Sequence, residues 1–129
     1  MTPRKLLRHI FRFRGFQESL RLAINGIAYL FLYHRNMRII FIVGIGTFFA
    51  GIFFRLSGIE LIVLCITITL VFMAEIFNTA IELMMNTVSE RYHTRIRVIK
   101  DIAAGVVVLA CLNALAIGCV LFAPRIFKG

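Results

Sequence analysis

Three long apolar blocks dominate this chain and leave few folds open to it. They cover residues 39–54, 61–74 running on to 85, and 102–123. A helix crossing the hydrocarbon layer of a bilayer needs about 20 largely apolar residues. The third block meets that length with 22 residues. The first has 16 and reaches it by taking in Met37, Arg38 or Arg55, whose stems run along lipid while the charges stay among headgroups. Of the 129 residues 60% are hydrophobic and 16% charged, below the roughly 25% charged of soluble domains. The expected fold is an all-α membrane protein, one integral domain over 1–129, with transmembrane helices at about 37–55, 59–86 and 100–123. Three spans fit the chain and four do not.

A formal charge of +9 raises the question of a nucleic-acid binder, and the placement of the charge answers it. Eight of fifteen basic residues precede residue 39, and Arg91, Arg95, Arg97 and Lys100 lie between the second and third blocks, whereas the loop between the first two has only Arg55. That is the asymmetry of short loops retained on the cytoplasmic side. It places the N-terminus and the 86–101 loop in the cytoplasm, and no nucleic-acid partner is expected. Cys65, Cys111 and Cys119 form no paired motif and read as small buried hydrophobes. The first apolar block begins too late for an ordinary secretory signal, so the first span is expected to be retained.

Ahead of it, Phe13, Phe16, Leu20, Ile24 and Ile27 recur at three- and four-residue spacing, with Arg14, Glu18, Arg21 and Asn25 on another face. This predicts an amphipathic surface helix at about 10–34, apolar side in lipid and basic side on an anionic phospholipid surface. Gly44, Gly46 and Gly51 lie inside the first span with no strand before them and no Lys-Ser/Thr after, so they read as helix-contact positions and not as a phosphate loop.

The chemistry concentrates in the second span. Asn78, Glu82 and Asn86 fall within roughly 60° of Glu75 at 100° per residue, so the four share one stripe. Carboxylates at such depth face protein, water or an ion, which leaves a catalytic or metal site, a transport path and a structural polar seam as readings. Glu75 and Glu82 are about 10.5 Å apart along an ideal helix, suited to one extended substrate: one carboxylate at an acceptor hydroxyl, the other at divalent metal and phosphate. Asn78 adds hydrogen bonds without charge. Lys100 and Asp101 read either as a polyphosphate and nucleotide contact or as snorkelling and capping at a helix start. His93 reads as an interfacial histidine, Asn113 as interhelical glue, and Glu60 has no spacing that demands chemistry.

Glu75-Ile-Phe-Asn78-Thr-Ala-Ile-Glu82, then Tyr92-His93 and Lys100-Asp101-Ile-Ala-Ala-Gly105, closely resemble the small prokaryotic diacylglycerol kinase and undecaprenol kinase family. The likeness extends through Arg35-Asn36-Met37-Arg38 and covers roughly residues 13–121. It implies a homotrimer of three-span protomers in the prokaryotic inner membrane, with sites near the cytoplasmic face. The implied reaction transfers the terminal phosphoryl group of ATP, with Mg2+, to a membrane lipid alcohol. Glu75 and Asn78 would be catalytic, Glu75 receiving the alcohol proton and Asn78 orienting phosphate or lipid. Glu82 would carry the metal, and Glu82, Asn86, Lys100 and Asp101 the nucleotide. Arg14 and His93 would support the lipid side.

Two positions depart from the family pattern. His34 stands where glutamate is usual before Arg-Asn-Met-Arg, and Asn86 where aspartate is usual. Up to two negative charges are thereby removed, and His34 as a metal ligand would admit Mn2+ or Zn2+ beside Mg2+. The resemblance favours undecaprenol over diacylglycerol. The alternatives are a diacylglycerol kinase, an inactive membrane scaffold of the same fold, and a transporter.

Overall fold

The computed structural model of the chain describes Pro3, residues 13–88 and residues 93–128, of which the side chains of Phe13, Arg14 and His93 are not described. The backbone divides into two compact units, residues 1–35 and 36–129. All regular structure among the described residues is helical.

The first unit carries helix α1, Phe13–Tyr33. It follows the expected surface helix over 13–33, while positions 10–12 fall outside the described residues. Phe16, Leu20, Ile24 and Ile27 are exposed along its apolar face. Tyr29 and Tyr33, one turn apart, bring their rings to 4.8 Å. His34 ends the helix, its backbone N–H donating to the Leu30 carbonyl at 2.9 Å. The Tyr29 ring lies 6.1 Å from the His34 imidazole.

Helices α2, Arg35–Phe53, α3, Gly58–Asn86, and α4, His93–Phe127, follow. Each is long and apolar enough to cross a membrane. The third span thus begins seven residues before the expected position 100 and runs past 123. Arg95, Arg97 and Lys100 are good helix formers, so the helix continues beyond its apolar stretch. Pro124 lies in the last turn of α4, where the lost N–H bond and the crowding of its ring against the preceding turn leave only three helical residues beyond it to displace. There the Arg125 guanidinium donates to the Leu121 carbonyl at 3.0 Å.

The α2–α3 turn is built twice over. Arg55 takes a left-handed conformation (φ 57°), and the N–H groups of Arg55 and Leu56 reach back to the carbonyls of Ile52 and Gly51 at 3.1 and 3.0 Å. These are the paired bonds that terminate a helix with its carbonyls satisfied. Ser57 then opens α3 in a capping box: its hydroxyl accepts from the Glu60 N–H, and the Glu60 carboxylate accepts from the Ser57 N–H. The Ser-x-x-Glu spacing carried that signal in the sequence, where Glu60 had no assigned part.

Packing around this turn depends on absent side chains. A Cβ on Gly51 would stand 3.0 Å from both Leu56 and Leu64, and one on Gly44 2.9 Å from Ile68. Gly46 meets nothing within 4 Å, so of the three glycines read as contact positions only two serve. Leu56, Leu64 and Leu121 form the buried cluster joining the turn to α3 and α4. Cys65, Cys111 and Cys119 are exposed, contrary to the expectation of burial. A lipid-solvated chain gains little by hiding apolar side chains from its surroundings, so its outer surface stays apolar. Asn113, read as glue, is likewise exposed on α4.

Candidate functional site

Two polar contacts pin α3 against α4 in antiparallel register. At one end Arg125 pairs with Glu60 at 2.7 Å; at the other the Lys100 ammonium donates to the Asn86 side-chain oxygen at 2.6 Å. Glu60 and Asn86 are twenty-six positions apart on α3, and Lys100 and Arg125 twenty-five on α4, so the helices run side by side without slipping. Lys100 lies two turns inside α4, which removes the reading of Lys100-Asp101 as a helix start.

The four stripe residues all lie in one unbroken helix, α3. Glu75 is 6% exposed, Asn78 half-buried, and Glu82 and Asn86 exposed. At 1.5 Å per residue Glu75 stands about 26 Å along α3 from Gly58 and Glu82 about 36 Å. A hydrocarbon layer of about 30 Å counted from Gly58 ends between them, near Asn78. Burial within the protein falls along the stripe from Glu75 toward Asn86. Thr79, one turn beyond Glu75, is 3% exposed and belongs with it, a position overlooked in the sequence although it stands inside the Asn78-to-Glu82 stretch. Among the described residues no buried side-chain nitrogen or oxygen lacks a hydrogen-bond partner.

Asn86 and Lys100, both assigned to nucleotide, are brought together directly, and Asp101 is exposed. Ala103, one turn further along α4, is 2% exposed, so α4 packs closely there. Gly105, by contrast, meets nothing within 4 Å of a Cβ. His34 is half-buried and belongs to the first unit, and Arg14 also stands there. His93 begins α4. Among the described residues no three His, Cys, Asp or Glu side chains cluster as a ready metal cage. A single exposed carboxylate such as Glu82 still suits magnesium, which commonly arrives on nucleotide phosphates and takes one or two protein carboxylates.

The fold and the stripe define a helical membrane protein with a graded carboxylate and amide face at one end of its bundle. The family model described as prokaryotic diacylglycerol kinase matches residues 21–122, and the chain belongs to that family. It is 38% identical over 108 residues to a protein of Synechocystis sp. named diacylglycerol kinase, covering 82% of this chain and 62% of that protein. It is 32% identical over 76 residues to the undecaprenol kinase of Bacillus subtilis, covering 59% of this chain and 62% of that relative. The matches thus span less than two thirds of the length of either relative. No solved structure matches significantly.

Proposed function

We propose that the protein is an ATP-dependent lipid kinase that phosphorylates a membrane lipid alcohol, a polyprenyl alcohol such as undecaprenol in preference to diacylglycerol. The observation that carries this reading is the gradient on α3, from buried Glu75 through half-buried Asn78 to exposed Glu82. A lipid alcohol and a nucleotide differ in where they reside, and a stripe crossing the lipid boundary reaches both. Family membership supports phosphoryl transfer, and the residues retained in Asn78-Thr-Ala-Ile-Glu82 and Lys100-Asp101 support the polyprenyl choice.

In this reading the acceptor hydroxyl meets Glu75, whose carboxylate takes its proton as the oxygen attacks the terminal phosphorus of ATP. The new P–O bond forms as the bond to the ADP oxygen breaks. Asn78 orients the moving phosphoryl group, and Glu82 together with Lys100 and Asp101 holds the nucleotide. Bound magnesium would neutralise phosphate charge, with Glu82 as its protein ligand. Lys100 leaves Asn86 or shares its protons with phosphate, since an ammonium has three donors. Positioning and fixed charge account for most catalysis of such transfers. The protein acts in the inner membrane as a homotrimer, its N-terminal helix on the anionic cytoplasmic surface.

The test is transfer of labelled terminal phosphate from ATP to undecaprenol and to diacylglycerol in parallel, with magnesium and then manganese, using wild type and Glu82→Ala. Preferential undecaprenyl phosphate, lost in the variant, is the expected result. Preferential labelling of diacylglycerol would reassign the substrate. Stable, lipid-bound protein without lipid product under either metal would make it a scaffold, and ion flux dependent on Glu75 would make it a transporter.

A further inference from the structure

At the end of the bundle that carries Glu82 and Asn86 the three long helices stop at different heights. α3 ends at Asn86, level with Lys100, so the residues of α4 before Lys100 extend roughly 10 Å beyond it at 1.5 Å per residue. α2 stops short of both. The Phe41 ring packs on Phe72 at 6.1 Å and α2 begins at Arg35, which sets its end near the level of Asn78 on antiparallel α3. The helices thus form steps, with α4 reaching farthest.

The overhanging part of α4 has two unlike faces. At 100° per residue Val98, Ile99 and Ile102, all exposed, fall within roughly 60° of Arg95. A basic residue that closes such an apolar face is a lipid-side anchor with its charge among headgroups. Lys100 and Asp101 instead fall within roughly 60° of Arg97, which is about 160° around the helix from Arg95. Arg97 also shares its side of α4 with Phe122, whose ring meets Phe54 of α2 at 5.9 Å. It therefore stands over the step where α2 has already ended, on the polar side of the overhang. Arg97 is exposed, and among the described residues it has no hydrogen-bond or ion-pair partner.

A guanidinium is a planar fork that donates two parallel hydrogen bonds to phosphate oxygens. Arg97 lies about 4.5 Å beyond Lys100 along α4, on the side away from Glu75, where the part of a polyphosphate that is not transferred would lie. We infer that Arg97 is a further nucleotide-binding residue, its guanidinium holding the phosphates that stay on the nucleoside. The inference rests on the reading of Lys100 and Asp101 as nucleotide contacts and adds a division between two cations. Lys100 meets the charge that develops during transfer, whereas Arg97 holds ATP equally before and during it and so acts on binding alone.

In bilayers with labelled ATP, Arg97→Gln is expected to raise the KM for ATP at least about tenfold and to change kcat less than about twofold, the pattern of lost uniform binding. Glutamine is a good helix former, so α4 is retained. Arg97→Lys keeps the charge without the fork and should fall between the variant and the wild type. Arg95→Gln removes the same charge from the other face and should leave both constants within about twofold of the wild type. An unchanged KM in Arg97→Gln, or a fall in kcat alone, would overturn the inference. An equal rise in Arg95→Gln would overturn it by making the effect one of surface charge. Failure of the wild type to label any lipid would sink the kinase reading alone. Arg97 is then decided by equilibrium dialysis of labelled ATP with magnesium against the detergent-solubilised protein. Binding weakened at least about tenfold in Arg97→Gln and unaltered in Arg95→Gln upholds the inference, and equal binding by all three proteins, or none by the wild type, refutes it.

Discussion

The Lys100 ammonium donates a hydrogen bond across the bundle to the Asn86 side-chain oxygen, 2.6 Å away and fourteen positions back along the chain. The bond holds a positive charge on the same end of the bundle as exposed Glu82, where a polyphosphate would meet it. A bond from a charged donor contributes more than a neutral one, about 1.5 kcal/mol or less at this half-exposed position. Asn86→Ala is expected to lower stability in a denaturant titration by about 1 kcal/mol. Lys100→Ala should in addition reduce lipid phosphorylation about a hundredfold through the nucleotide, the scale of losing one fixed donor to developing charge. Undiminished lipid phosphorylation in Lys100→Ala would assign Lys100 a packing role alone.

Glu75→Gln keeps the shape and hydrogen-bonding reach of a 6%-exposed side chain while removing its capacity to take a proton. General-base removal typically costs about 10²- to 10⁴-fold in rate. The variant is expected to assemble and bind ATP as the wild type does but to transfer phosphate at least a hundredfold more slowly. Rapid-quench measurement of the first turnover checks this, and a wild-type rate would remove Glu75 from the chemistry.

The glycines of α2 make opposite predictions. Gly51→Leu drives a side chain into Leu56 and Leu64, each 3.0 Å from the position of a Cβ, and overpacking of this kind costs about 1–3 kcal/mol. Gly46→Leu enters open space and should leave stability in lipid unchanged. Thermal unfolding of the two variants side by side tests the packing of α2 on α3.

At the far end Glu60 has two duties, closing the capping box with Ser57 and pairing with Arg125. Arg125→Met removes one of them and Glu60→Ala both. The exposed pair contributes up to about 1 kcal/mol, and Arg125→Met also gives up its bond to the Leu121 carbonyl. Glu60→Ala keeps the Ser57 hydroxyl bond to the backbone N–H at 60, so the cap is tested by Ser57→Ala, which is expected to lose about 1 kcal/mol in thermal unfolding. No loss in Ser57→Ala would show that the cap contributes nothing.

Arg55 occupies a left-handed conformation that costs a residue with a side chain about 1–2 kcal/mol. Arg55→Gly should therefore stabilise the turn by up to about 1 kcal/mol, seen as a raised Tm in detergent. A lowered Tm would mean that the arginine side chain makes a compensating contact.

The sequence alone determined the class of fold and the stripe of chemistry. Apolar block length reports how many helices can span a bilayer, and a repeat of three and four residues places Glu75, Asn78, Glu82 and Asn86 on one face of any helix, since both follow from backbone geometry and solvent. Only the tertiary structure decided which helix faces which. The pairing of Lys100 with Asn86 and of Arg125 with Glu60, and the choice of Gly44 and Gly51 over Gly46, depend on the register between helices distant along the chain. In a lipid-solvated chain that register is set by small-residue fit and a few cross-helix polar bonds, and neither leaves a period in the sequence.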